Sequence, residues 1–202
     1  MDDAVNAIAL DSVSSGCTTS GSPCIYLGGT FLNAGTVTAN RIAKWGGSSW
    51  SALGTGMDDS VNTLALDSTG KLYAGGIFTC ARNSGVTCVT NAGRFAKWNG
   101  STWSAVGSST FNDYVSSLKV DSSDNVYAGG VFTASGATSL ERIAKWSGSS
   151  WSQLDSGIDG AVNAIAFDPS GNVFAAGDFT LTFSSLGRDF IAKWSPSFNL
   201  WF

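Results

Sequence analysis

The chain has 202 residues, a formal net charge of −4, only 13% charged residues and no histidine. The lack of His excludes imidazole-ligated zinc, Ser-His-Asp triads and imidazole acid–base catalysis. A pI near 4.5 argues against a nucleic-acid partner, and no apolar run reaches the ~20 residues of a membrane-spanning helix.

Eight Trp and twelve Phe argue against disorder and for a packed core. Fourteen of the fifteen acids are Asp, the exception being Glu141. With so little Glu, Lys, Leu and Met, long helices have few good formers.

In chain order, the first predicted strand is Val5 to Leu10, apolar on both faces and closed by Asp11; such a strand is covered on both sides. Tyr26-Leu27-Gly28-Gly29-Thr30-Phe31 forms a second strand, whose glycines predict a close backbone approach. Ile42-Ala43-Lys44-Trp45 is the third. A fourth opens at Trp50, after the tight turn Gly46-Gly47-Ser48-Ser49.

This unit recurs. The first strand returns at Val61, Val115 and Val162, closed by Asp67, Asp121 and Asp168. The diglycine returns as Gly75-Gly76 and Gly129-Gly130, and the fourth copy has Ala176-Gly177 instead. The third strand returns as Phe95-Ala96-Lys97-Trp98, Ile143-Ala144-Lys145-Trp146 and Ile191-Ala192-Lys193-Trp194, followed by a second Trp at 103, 151 and 201. Asn99-Gly100 suits a type I′ hairpin turn.

Four short antiparallel strands repeated every ~50 residues predict an all-β fold, a β-propeller of four blades each with four antiparallel strands. The blades run approximately over 1–56, 57–109, 110–157 and 158–202 of a single domain. A segment of a larger ring is the alternative.

The four cysteines form two close pairs, Cys17/Cys24 and Cys80/Cys88, each inside an insertion of the repeat. Their spacing is not that of a thiolate metal site. Two loop disulfides fit, and they imply an oxidising, extracellular setting. Met1 is followed directly by Asp2-Asp3, so no signal peptide is expected.

The diglycine after a Tyr-containing strand, the Trp hairpin and the Trp-Ser-x-Leu strand (Trp50-Ser51-Ala52-Leu53) resemble the Kelch family. They are closer still to the Kelch-like tandem repeats of secreted bacterial surface proteins. The resemblance covers nearly the whole chain, departing at the fourth strand, which lacks Pro, and at Ala176. It implies a propeller and says little of function, because propellers host unrelated activities.

The two ends carry a further expectation. Met1-Asp2-Asp3-Ala4-Val5-Asn6 nearly repeats Met57-Asp58-Asp59-Ser60-Val61-Asn62, and Trp201-Phe202 falls where the last fourth strand should begin. Either the chain is a piece of a longer tandem protein, or a neighbour completes an incomplete last blade by adding a strand. Head-to-tail, the second arrangement yields a filament. Its assembly residues are Met1, Asp2, Asp3, Val5, Asn199, Leu200, Trp201 and Phe202.

Other repeated residues have structural and functional readings. Lys44, Lys97, Lys145 and Lys193 with Arg41, Arg94 and Arg142 are expected to pair with Asp11, Asp67, Asp121 and Asp168, rather than to ring a ligand. Asn6, Asn62, Ser116 and Asn163 share one position on the first strand; they either bond neighbouring backbone or line a channel. The acids Asp2/Asp3, Asp58/Asp59, Asp113 and Asp159 precede each first strand as turn residues or a Ca²⁺ rim. The Trp residues pack between blades or stack on sugars. Asn99-Gly100-Ser101 is a glycosylation sequon as well as a turn.

No catalytic residue, metal site or cofactor is expected. The function expected is a non-catalytic extracellular structural protein, secreted to the cell surface, partnered by copies of itself in a homopolymer or in covalent tandem units. The alternative is an extracellular adhesin or ligand-binding module with a glycan ligand.

Overall fold

The computed structural model describes residues 1–12, 23–180 and 190–202. Each of the four repeats folds as one four-stranded antiparallel sheet with its strands in sequence order. The first sheet uses Val5–Asp11, Cys24–Gly29, Ile42–Trp45 and Trp50–Ala52. The second uses Val61–Leu66, Leu72–Gly76, Phe95–Trp98 and Trp103–Ser104. The third uses Val115–Val120, Val126–Gly130, Ile143–Trp146 and Trp151–Gln153, and the fourth Ala161–Phe167, Val173–Asp178, Ile191–Ser195 and Leu200–Trp201. The chain divides into two compact units, Met1–Thr110 and Phe111–Phe202, each holding two sheets.

Within the first unit, the first strand of sheet two packs on sheet one. Val61, Leu64 and Leu72 share a core with Tyr26, Ile42 and Trp103. The second unit repeats this with Val162, Ile165 and Val173 against Tyr127 and Ile143, closed by Trp201.

The diglycine has two separate steric causes. A Cβ on Gly28 would lie 2.5 Å from Val61 Cγ1, and one on Gly129 would lie 2.5 Å from Val162 Cγ1. The first glycine thus admits a valine of the following sheet. A Cβ on Gly29, Gly76, Gly130 or Gly177 would meet the carbonyl oxygen of Ala4, Ser60, Tyr114 or Ala161, at 2.0 to 2.2 Å. The second glycine admits the sheet's own backbone. The fourth repeat keeps the second glycine and has Ala176 at the first.

Each sheet carries a bulge in its first strand. The register shifts between Val5 and Ala7, Val61 and Thr63, Val115 and Ser117, and Val162 and Ala164. The residues left over are Asn6, Asn62, Ser116 and Asn163, the position singled out by its repetition. A bulge re-aims its side chain.

The fourth sheet differs from expectation. It has a fourth strand, Leu200–Trp201, paired with Ser195 and Trp194. Phe202 and Lys193 also exchange backbone hydrogen bonds, at 2.7 and 2.9 Å. The two-residue outer strand matches that of the second sheet, Trp103–Ser104. Asn199, the residue before this strand, takes the left-handed conformation, at φ 51°. The fourth sheet thus has four strands, as the other three do.

Asn99-Gly100 also departs from expectation. A type I′ turn needs positive φ at both central residues. The Asn99 N–H bonds the Thr102 carbonyl at 3.2 Å, so the central residues are Gly100 and Ser101; Gly100 has φ 102°, but Ser101 does not have a positive φ. Asn99 instead turns its side-chain oxygen onto the N–H groups of Ser101 and Thr102, at 3.0 and 2.8 Å. It caps the turn from outside.

Candidate interaction surfaces

The repeated polar residues are committed to the scaffold. Asp67 Oδ1 accepts N–H bonds from Thr69 and Lys71, at 3.0 and 2.9 Å. Asp121 and Asp168 do the same in their own turns, each adding a bond from an Asn amide, Asn125 or Asn172. The Asn172 amide and N–H groups hold Asp168 below the ordinary carboxylate range against the raising effect of burial.

The acids before each first strand clip a loop in their own sheet. Asp2 accepts from the N–H groups of Leu32 and Asn33, at 2.9 and 3.0 Å. Asp58 takes those of Thr79 and Cys80, both at 2.8 Å, and Asp159 that of Thr180 at 2.8 Å. Asn112 replaces the acid in the third repeat and makes the same clip, to Thr133 and Ala134. Asp3, Asp59 and Asp113 each accept the N–H of the next residue, at 2.7 Å. Asp2, the first of the expected assembly acids, is thus engaged inside its own repeat.

Of the expected Lys–Asp pairs, Lys193 helps hold the Asp168 carboxyl low through its charge. Arg142 and Glu141 form an ion pair at 3.2 Å. Three of the lysines also lie over the ring opposite them on the second strand: Lys44 over Tyr26 at 5.7 Å, Lys145 over Tyr127 at 5.4 Å, Lys193 over Phe174 at 5.9 Å. The pleat explains this, since each Lys is the cross-strand partner of that aromatic. The arginines bond backbone: Arg41 to the carbonyl of Met57 at 3.2 Å, Arg142 to that of Ile158 at 3.0 Å, and Arg94 to that of Ile77.

The tryptophans face one another across each hairpin. Ring centroids lie 5.0 Å apart for Trp45/Trp50, 5.2 Å for Trp98/Trp103 and 5.5 Å for Trp146/Trp151. Trp103 and Trp201 are buried. Trp201, expected at an assembly edge, is therefore core.

Cys80 and Cys88 form the expected disulfide, with Cα atoms 5.1 Å apart. Cys24 is disulfide-bonded; Cys17, its expected partner, lies outside the described residues.

Two sheet faces break the repeat. In the first sheet Val5, Ile8 and Leu10 are 44%, 62% and 60% exposed. At the matching positions, Val61, Val115 and Val162 are fully buried, and Leu64, Leu118 and Ile165 are at most 8% exposed. In the fourth sheet Ile191 is 62% exposed, whereas Ile42, Phe95 and Ile143 are at most 3% exposed. Phe198, Leu200 and Phe202 at the end of that sheet are also exposed, as is Met1. Sequence reasoning selected Met1, Val5, Leu200 and Phe202 from the chain ends, but missed Ile8, Leu10 and Ile191. Those three look like every other core position of the repeat.

A shallow cleft in the fourth repeat is lined by Asp159, Gly160, Asp178, Phe179, Thr180 and Phe190. Asp178 stands where the other copies have Thr30, Ile77 and Val131, and its carboxylate accepts from Asn163 Nδ2 at 3.0 Å. Among the described residues no helix is long and apolar enough to cross a membrane.

No protein-family model and no curated protein matches the chain. The chain is similar to the solved structure of U3-55K, with a TM-score of 0.56 and 13% identity over 98% of its length. It is also similar to YCF48 bound to D1 peptide, with a TM-score of 0.43 and 13% identity over 98% of the chain and 67% of that one. The chain spans half the length of the U3-55K structure. Together with the four meander sheets, that likeness defines the fold as a β-propeller.

Proposed function

We propose that the chain is a non-catalytic structural propeller of the Kelch-like repeat type, secreted to an extracellular surface, where it assembles with copies of itself. The observation that carries this reading is the pair of apolar sheet faces left bare, at Val5/Ile8/Leu10 and at Ile191, where the residues matching Val5, Ile8 and Ile191 in the other repeats are buried. Apolar faces of this kind mark protein–protein contacts. The clips and turns described above support the non-catalytic part, because they commit the repeated Asp residues to backbone N–H groups. The Cys80–Cys88 bridge favours an oxidising compartment. The test is electron microscopy of the native protein over a concentration series, with its intact mass. Regular fibres or a ladder of oligomers support the reading; a monodisperse monomer at every concentration rejects it.

A second reading, a ligand-binding module, is favoured by the cleft around Asp178, where the repeat symmetry breaks. Screening the wild type and Asp178→Thr against a glycan array and Ca²⁺ tests it. Binding lost in the variant supports this reading.

A further inference from the structure

We infer that the two bare faces are the halves of one heterologous contact: the first sheet of one copy docks on the fourth sheet of a second copy, in the geometry already present inside each unit. This rests on the self-assembly reading above and names the surfaces it would use.

The template is internal. In the first unit, Val61 and Leu64 press onto sheet one over Gly28, in a core with Tyr26 and Ile42. In the second unit, Val162 and Ile165 press onto sheet three over Gly129, in a core with Tyr127 and Ile143. Val5 and Ile8 are the same knobs left exposed. Ile191 is the exposed member of the same socket, beside the half-buried Ala176 and Phe174, with Lys193 over the Phe174 ring. The hydrogen bonding agrees. Asn6, on the bulge of sheet one, reaches the Val61 carbonyl of the following sheet, at 3.3 Å. Asn163, on the same bulge of sheet four, folds back onto Asp178. A docked copy would offer it the Val5 carbonyl instead.

The fit has one defect, and it is specific to this chain. A methyl at the Gly28 or Gly129 position comes within 2.5 Å of the valine knob. Ala176 places such a methyl in the fourth socket, so the valine must shift to dock. The contact between copies is therefore weaker than its internal counterparts and reversible with concentration. It is also directional, since knob and socket are different surfaces, so it propagates head to tail.

Sedimentation velocity from low to high micromolar protein tests this with three variants. Ile8→Asp spoils the knob and Ile191→Asp spoils the socket. Both sites are exposed, so thermal melting should match the wild type. The wild type should form a concentration-dependent ladder. Each variant alone should stay monomeric. Their mixture should form a dimer that goes no further, through the intact socket of one and the intact knob of the other. Ala176→Gly should tighten the wild-type ladder about tenfold, the effect of ~1.4 kcal/mol. If the aspartate variants form the same ladder as the wild type, copies assemble by another surface and the inference falls while the assembly reading stands. If the wild type stays monomeric throughout, both fall.

Discussion

Trp103 donates its indole N–H to the carbonyl of Leu53 across 2.8 Å, from the fourth strand of sheet two to the residue that follows the fourth strand of sheet one. Trp201 makes the matching bond to Leu154, at 3.1 Å, in the second unit. The second Trp of these repeats is therefore a hydrogen-bonded tie between neighbouring sheets as well as an apolar plug. Trp103→Phe keeps most of the apolar area but leaves the Leu53 carbonyl without this donor. We expect a loss of about 1–3 kcal/mol, read by urea denaturation, with little change in the far-ultraviolet spectrum.

Gly28→Ala should destabilise the first unit by about 1–3 kcal/mol, because its methyl meets Val61 and a packed core resists added volume. Val61→Ala opens the space, so the double variant should cost less than the sum of the singles. Denaturation of all three closes the cycle. Additive costs would show that the two residues do not press on each other.

Asp58 gives a pH signature. Burial pushes its carboxyl up, but the Thr79 hydroxyl and the N–H groups of Cys80 and Thr79 outweigh that and hold it below the ordinary 3.8. The stability this contributes is present above about 3.8 and is lost as pH falls through the lowered native value. In Asp58→Asn the amide oxygen can accept the same N–H bonds, as Asn112 does in the third repeat. The variant should remain folded at neutral pH and show a shallower loss of stability below pH 4.

Tyr26 gives the opposite limb. Burial, aided by the Asp11 charge, pushes its phenol up to about 12, and burial with Asp121 raises Tyr127 as well. The folded state keeps these protons after the unfolded chain has released them. The corresponding stability is intact below pH ~10 and fades as pH rises beyond it. Spectrophotometric titration of the native protein should leave Tyr26 and Tyr127 un-ionised at pH 11, and urea should release both.

Much of this architecture was legible in the sequence for a physical reason. The Trp-turn-Trp hairpin, the diglycine and the Asp-closed turns each solve a steric or hydrogen-bonding problem that every repeat shares, so they recur visibly. The bulge at Asn6, Asn62, Ser116 and Asn163 was visible only as repetition, because a bulge leaves no composition signal. Charge alone does not reveal what a lysine lies over: the register places Tyr26 opposite Lys44, and Asp67 takes N–H bonds within its own turn. The outer strand of the last sheet is as short as that of the second, Trp103–Ser104, and two residues leave little periodicity to read. The bare faces were hidden for the opposite reason: Ile8 and Ile191 are ordinary core residues whose neighbours alone decide whether they are covered.

The most direct measurement is an electron cryomicroscopy map of the assembled protein at side-chain resolution. The account predicts Ile8 of one copy seated over Ala176 and Ile191 of the next, with the Asn163 amide turned toward the incoming backbone. A map in which copies touch elsewhere, with Ile8 and Ile191 both in solvent, would contradict it.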